Sequence, residues 1–64
     1  MRVNGKDTTL KTPVTLADFL VHNGYNVQRV VVERNGTIIT REQFAETLLT
    51  DNDKLEVVQF VGGG

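Results

Sequence analysis

Cysteine, serine and tryptophan are all missing from this 64-residue chain, and proline, histidine, tyrosine and methionine occur once each. Without cysteine there is no disulfide, no thiolate metal site and no cysteine nucleophile, and nothing requires an oxidising compartment, so a cytoplasmic setting is expected. The absence of serine removes the other common activated nucleophile, and with His22 as the sole imidazole the inventory does not make an enzyme. Charge of one sign is lacking too. Seven Lys and Arg residues face eight Asp and Glu, a formal net charge of -1, so the basic field that nucleic acid or an anionic membrane would require is not there, and proteins are the expected partners. No apolar run approaches the ~20 residues of a membrane span. Met1 to Lys6 holds no apolar stretch of signal-peptide length, so the expectation is a soluble protein unprocessed at that end. A domain this short buries only about 60% of its unfolded surface, which leaves room for one small core and no deep pocket.

What is present is strongly punctuated. Met1 to Asn4 alternates as a short strand does, Asn4-Gly5 is a favoured two-residue hairpin turn, and Asp7 to Thr12 reads as the returning strand. Thr15-Leu16-Ala17-Asp18 resembles a capping box with Asp18 in place of Glu, and Val14 can staple onto Phe19, which starts a helix at Leu16. Leu16, Phe19 and Leu20 fall on one helical face, and Gly24 supplies the left-handed residue that ends it after about two turns. Val27 to Arg34, the turn Asn35-Gly36 and Thr37 to Thr40 make a second hairpin. Thr40-Arg41-Glu42-Gln43 is a full capping box with Ile39 and Phe44 as its staple, opening a short helical turn that ends near Glu46. After a turn at Asp51-Asn52-Asp53, Lys54 to Val61 reads as the last and longest strand. Two hairpins flanking one helix, then a final strand, predict an α+β roll: a mixed four- to five-stranded sheet with the helix across one face and the other face open.

Candidate chemistry within the globule is thin. His22 falls in the last turn of the helix, where a cation suits the dipole and no second ligand lies at i±4, so a surface histidine is the plain reading. Asp51-Asn52-Asp53 could begin a calcium loop, but the position that would hold its bidentate glutamate is Gly62, and a turn is the better account.

The final strand says more, because both of its faces are apolar. Leu55, Val57 and Gln59 alternate with Glu56, Val58 and Phe60, and only one set can face the helix. Either loops cover the strand on both sides, or Val58 and Phe60 form an exposed apolar patch of the kind that marks a protein-binding surface. Three glycines follow directly. An incidental tail is the ordinary explanation of such a run. Glycine also lacks side-chain bulk and moves freely in φ/ψ, so three of them, extending roughly 10 Å, could thread a narrow channel and deliver a terminal carboxylate into another protein's active site. That carboxylate, with a pKa of roughly 3.5, is a poor electrophile and needs activation, for which adenylation by ATP is suited.

The strand order, with Val3-Asn4-Gly5-Lys6, Val31-Val32-Glu33-Arg34-Asn35, Ile38-Ile39, Arg41-Glu42 and the closing Phe60-Val61-Gly62-Gly63-Gly64, resembles the ubiquitin-like β-grasp proteins, and in its details the ThiS family of sulfur carriers in thiamine biosynthesis. The likeness covers the whole chain. It implies a β-grasp domain over residues 1–61 and a flexible glycine tail over 62–64. It also implies a non-enzymatic carrier, a monomer when free, whose Gly64 carboxylate is adenylated with ATP by a ThiF-type enzyme. Sulfur relayed from a cysteine desulfurase would convert Gly64 to a thiocarboxylate, which thiazole synthase (ThiG) consumes in making the thiazole half of thiamine. Gly62 and Gly63 would thread the partner's channel, and Val58, Phe60 and Val61 would dock on it, with no metal and no cofactor bound to the carrier itself. The related carrier of molybdopterin synthesis and a ubiquitin-like protein modifier are the alternatives. Val61-Gly62, where ubiquitin has an arginine before its glycine pair, counts against the modifier.

Overall fold

The computed structural model describes residues 1–60; Val61 and the glycines Gly62, Gly63 and Gly64, with the expected boundary between domain and tail, lie outside the described residues. Strand β1 (Arg2–Val3) turns through Asn4-Gly5 into β2 (Lys6–Asp7). Strand β3 (Val14–Thr15) leads straight into helix α1 (Leu16–His22). Strands β4 (Val30–Arg34) and β5 (Thr37–Ile39) form the second hairpin, a single 3-10 turn spans Arg41–Gln43, and β6 (Leu48–Leu49) and β7 (Lys54–Gln59) follow. The main sheet runs β2-β1-β7-β4-β5, with β1 and β7 parallel and the other pairs antiparallel. It is the mixed β-grasp sheet that the resemblance implied, with β7 in its centre.

Local chemistry explains the elements. The two hairpin turns hold Asn4 at φ 52°, Gly5 at 82°, Asn35 at 52° and Gly36 at 87°, the paired left-handed residues of a two-residue turn matching the strand twist. A side chain added at Gly36 would meet nothing within 4 Å, so its cost is conformational alone. Gly36→Ala is expected to destabilise the fold by about 1 kcal/mol, read from a urea midpoint, with an unchanged m-value. Thr15 caps α1 by accepting the Asp18 backbone N–H at 3.1 Å. In the 3-10 turn, Gln43 Oε1 accepts from both the backbone N–H and the hydroxyl of Thr40, each at 3.0 Å.

Leu16, Phe19 and Leu20 of α1 pack with Val30, Val32, Leu55 and Val57 of the sheet, and Met1, Phe44 and Leu49 complete the core. Leu16, Leu20, Leu49, Leu55 and Val32 are wholly buried, each such side chain contributing about 1.5–3 kcal/mol of transfer free energy. Val14 and Ile39, the staple residues, are half-buried against the same cluster as Phe19 and Phe44.

Three expectations about extent give way. The return strand expected to reach Thr12 stops at Asp7. Thr8 N–H closes the hairpin on Met1 O at 2.7 Å, and Leu10 N–H turns instead to Asp51 Oδ1 at 3.0 Å. The strand expected from Val27 begins at Val30, because the preceding loop is fixed by side chains rather than by a ladder. Val14–Thr15, read as the lead-in to the helix, and Leu48–Leu49, to which no element was assigned, form a separate two-stranded antiparallel sheet. Two residues carry no periodicity, so that pairing has no local signal.

Candidate functional site

β7 lies between β1 and β4, and its register fixes which of its side chains are covered. Leu55 and Val57 point into the core, while Val58 and Phe60 are 57% and 60% exposed. Of the two readings of this strand, the open one holds: among the described residues no loop covers that face. Val31 and Ile38 of β4 and β5 are also exposed on it, at 37% and 62%. In β4 and β7, Val31 stands opposite Val58 and Glu33 opposite Glu56, and Glu33 also faces Ile38 across β5. Phe60, the last described residue, thus lies on the same apolar strip, one residue beyond the end of β7.

The departure point is braced by four sets of hydrogen bonds. Phe60 N–H donates to Arg29 O at 2.8 Å, and Gln59 Oε1 accepts the Asn26 N–H at 2.7 Å. Asn26 Oδ1 in turn accepts the Gln28 N–H at 2.9 Å. Arg41 donates through Nε to Val27 O at 3.1 Å and through Nη2 to Gln28 O at 2.9 Å. Gln59 therefore serves the loop rather than the core. Neither this brace nor the role of Arg41 in it was legible in the sequence, because apart from the local Gln28–Asn26 bond its contacts join segments far apart in the chain.

At the opposite end of β7, Asp53 is 6% exposed. It accepts from Thr50 N–H at 2.8 Å, Asn35 Nδ2 at 3.0 Å and Arg34 Nη2 at 3.3 Å. Arg34 Nε is 3.2 Å from Oδ1, near enough for an ion pair but not aligned as a hydrogen bond. Burial pushes the Asp53 carboxyl up, but the Thr50 and Asn35 hydrogen bonds and the Arg34 guanidinium outweigh it, so the group sits below its ordinary value. The turn read at 51–53 is present, with the Asp53 side chain accepting from the backbone of Thr50, and the side chains reaching across from β4 and its turn were not foreseen. Asn4 does similar work at the first hairpin: its side chain accepts from Val57 N–H at 2.7 Å and donates to Val57 O at 3.1 Å, extending the β1–β7 pairing by one step.

Among the described residues no three His, Asp or Glu side chains gather as metal ligands, and no helix is long and apolar enough to cross a membrane. His22 ends α1 and is exposed. Of the residues singled out from the sequence, Val58 and Phe60 lie together on the open face; Val61, Gly62, Gly63 and Gly64 are outside the described residues.

Comparison with known proteins agrees with this architecture. The chain is 42% identical to the sulfur carrier protein ThiS of Bacillus subtilis, over all of this chain and 98% of that one. It is also 36% identical to part of a thiazole synthase of Paramagnetospirillum magneticum, where it spans only 19% of the relative's length. The crystal structure of the thiamine biosynthesis protein ThiS from Geobacter metallireducens superposes with a TM-score of 0.79 at 33% identity, covering 98% of this chain and 96% of that one. The ThiS family model matches residues 1–64. The family match over the whole chain and the identity to the Bacillus carrier across both chains, on a fold shared with the Geobacter protein, place this chain in the ThiS family.

Proposed function

We propose that this protein carries sulfur as a thiocarboxylate on Gly64 and donates it to a thiazole synthase in thiamine biosynthesis. The observation that supports this most directly is the 42% identity to the Bacillus sulfur carrier over the whole of both chains. The globule supplies no chemistry of its own: it presents the tail from a braced strand end and docks through Val58, Phe60 and Val61, while Gly62 and Gly63 thread the partner's channel.

A Gly64 carboxylate oxygen attacks the α-phosphorus of ATP on a ThiF-type adenylating enzyme, and pyrophosphate leaves. The resulting acyl adenylate is a mixed anhydride. The terminal sulfur of a persulfide, supplied through a cysteine desulfurase relay, attacks its carbonyl carbon, the acyl C–O bond breaks and AMP departs. A thiol then attacks the inner sulfur of the acyl persulfide, its S–S bond breaks, and the thiocarboxylate leaves as a disulfide forms on the thiol side. ATP thus belongs to the partner's reaction, and the carrier is a co-substrate in the cytoplasm. A thiazole synthase as the acceptor is supported by two relatives of that name, each of which contains a stretch similar to nearly all of this chain.

Intact-protein mass spectrometry after incubation with ATP, a ThiF-type enzyme and a cysteine desulfurase sulfur source tests the reading. A mass gain matching one oxygen replaced by sulfur, localised to Gly64, is expected; an unchanged mass with active enzymes would overturn it.

Phe60→Asp tests the docking role. With Phe60 60% exposed, the substitution removes little core packing. It is expected to weaken binding to the adenylating enzyme or the synthase by more than tenfold, as loss of an aromatic anchor does, while the melting temperature moves by only a few degrees. Equal losses of stability and binding would place Phe60 in the core instead.

A further inference from the structure

The open face is not uniformly apolar: two carboxylates stand opposite each other on it. Hydrogen bonds from Phe60 N–H to Arg29 O and from Asn35 N–H to Lys54 O mark the two ends of the β4–β7 ladder. Bonded pairs alternate along an antiparallel ladder. Arg29/Phe60, Val31/Val58, Glu33/Glu56 and Asn35/Lys54 are therefore successive bonded pairs on one face, and Glu33, Lys54, Glu56 and Val58 border a single concavity there.

Glu33 and Glu56 stand directly opposite, on Cα atoms roughly 5.5 Å apart, and like charges in that position destabilise a sheet. Among the described residues neither glutamate has a cation within ion-pair distance. Lys54 and Arg2, neighbours across β1 and β7, are the nearest basic residues in register, yet neither is within ion-pair distance of either glutamate, and Arg2 pairs with Asp7 at 3.5 Å. Exposed Ile38 and Val58, with Val31, border the carboxylates.

We infer that this face receives an arginine side chain from the partner protein, its guanidinium laid across Glu33 and Glu56 and its stem covered by Val31, Ile38 and Val58. A planar fork of five donors fits two carboxylates at this spacing, and the surrounding apolar side chains exclude water once the partner docks. The free carrier bears the repulsion, and the complex relieves it. Glu56 lies four residues before Phe60, roughly 13 Å along the strand. The arginine is therefore a second docking point, well removed from the tail channel. This inference rests on the carrier reading above and names the partner chemistry of the same surface.

The test compares wild type with Glu33→Gln/Glu56→Gln for affinity to the ThiF-type enzyme and to the thiazole synthase across a sodium chloride series, with melting temperatures and thiocarboxylate yield alongside. Expected for at least one of these partners are a tenfold or greater rise in Kd, a flatter salt dependence than wild type, and a melting temperature equal to or above wild type. Unchanged affinity for both partners, in a wild type that still binds and is thiocarboxylated, overturns the arginine and leaves the carrier reading standing. A lowered melting temperature of the double variant overturns it too, since the pair would then stabilise the free fold. A wild type that self-associates through these glutamates assigns the face to a second copy and overturns it as well. Wild type that neither binds nor is loaded overturns both readings together.

Discussion

Deleting Gly64 is expected to reduce thiocarboxylate formation by at least a hundredfold while leaving the melting temperature within error of wild type, and adding a residue after it is expected to abolish the reaction. The two changes fail for different reasons. Truncation leaves a carboxylate of the same chemistry on Gly63, but withdraws it by one residue, about 3.5 Å along an extended chain. Near-attack geometry tolerates far less, since displacement by 1 Å can cost about a hundredfold. Extension keeps the reach and turns the Gly64 carboxylate into an amide, which has no anionic oxygen to attack ATP. The tail follows Phe60, the last described residue, and the core contains nothing beyond Val57 among those residues, so thermal melting should not register either change. Mass spectrometry of reactions run to single turnover measures the loss. Normal loading of the extended protein would sink the proposed site.

The largest effect on stability is expected at the other end of β7. Asp53→Ala removes an acceptor that satisfies Thr50 N–H, Asn35 Nδ2 and Arg34 at once. Thr50 N–H and Asn35 lose partners, and Arg34, whose side chain is 33% exposed, keeps only the Leu48 carbonyl at 3.3 Å. Breaking a fully buried pair costs about 3–5 kcal/mol, and the partial exposure of Arg34 lowers the expectation to about 2–4 kcal/mol. In a domain of this size that is a fall of the melting temperature of about 10 °C or more.

The same group sets an acid limit. Its folded-state pKa lies below the ordinary aspartate value of 3.8, so the unfolded chain binds its proton first. The stabilisation is therefore fully present above that value and is lost as pH falls toward and through the lower folded-state pKa. Asp51 shifts in the same direction, through the Leu10 N–H and the Met1 ammonium, and adds to the trend. Asp53→Asn should flatten the dependence of the melting temperature on pH over the acid range. A variant with the wild-type slope would show that Asp53 does not carry it.

Much of this molecule could be read before any coordinates. The turns at Asn4-Gly5 and Asn35-Gly36, the Thr15 cap, the Gly24 helix end and the alternation of Leu55 and Val57 with Val58 and Phe60 are local signals. Each depends on the φ/ψ preference or side-chain direction of one to four neighbouring residues, and each is found in the structure. Where the reading fell short, the deciding partner was distant. β3 and β6 are two residues each and exist because they meet. The loop before Val30 is held by Arg41 and Gln59.

By itself, then, the sequence determined the hairpins, the helix, the missing nucleophiles and the glycine run that points to a carrier, because those follow from residue type and short-range spacing. Tertiary structure alone decided that the face bearing Val58 and Phe60 stays open, that Asp53 is buried against Arg34 and Asn35, and that Glu33 stands opposite Glu56. All three depend on β7 threading between β1 and β4, a pairing across more than twenty residues of chain to β4 and more than fifty to β1. It is settled by the burial of Leu55 and Val57 against α1, and no local propensity encodes it.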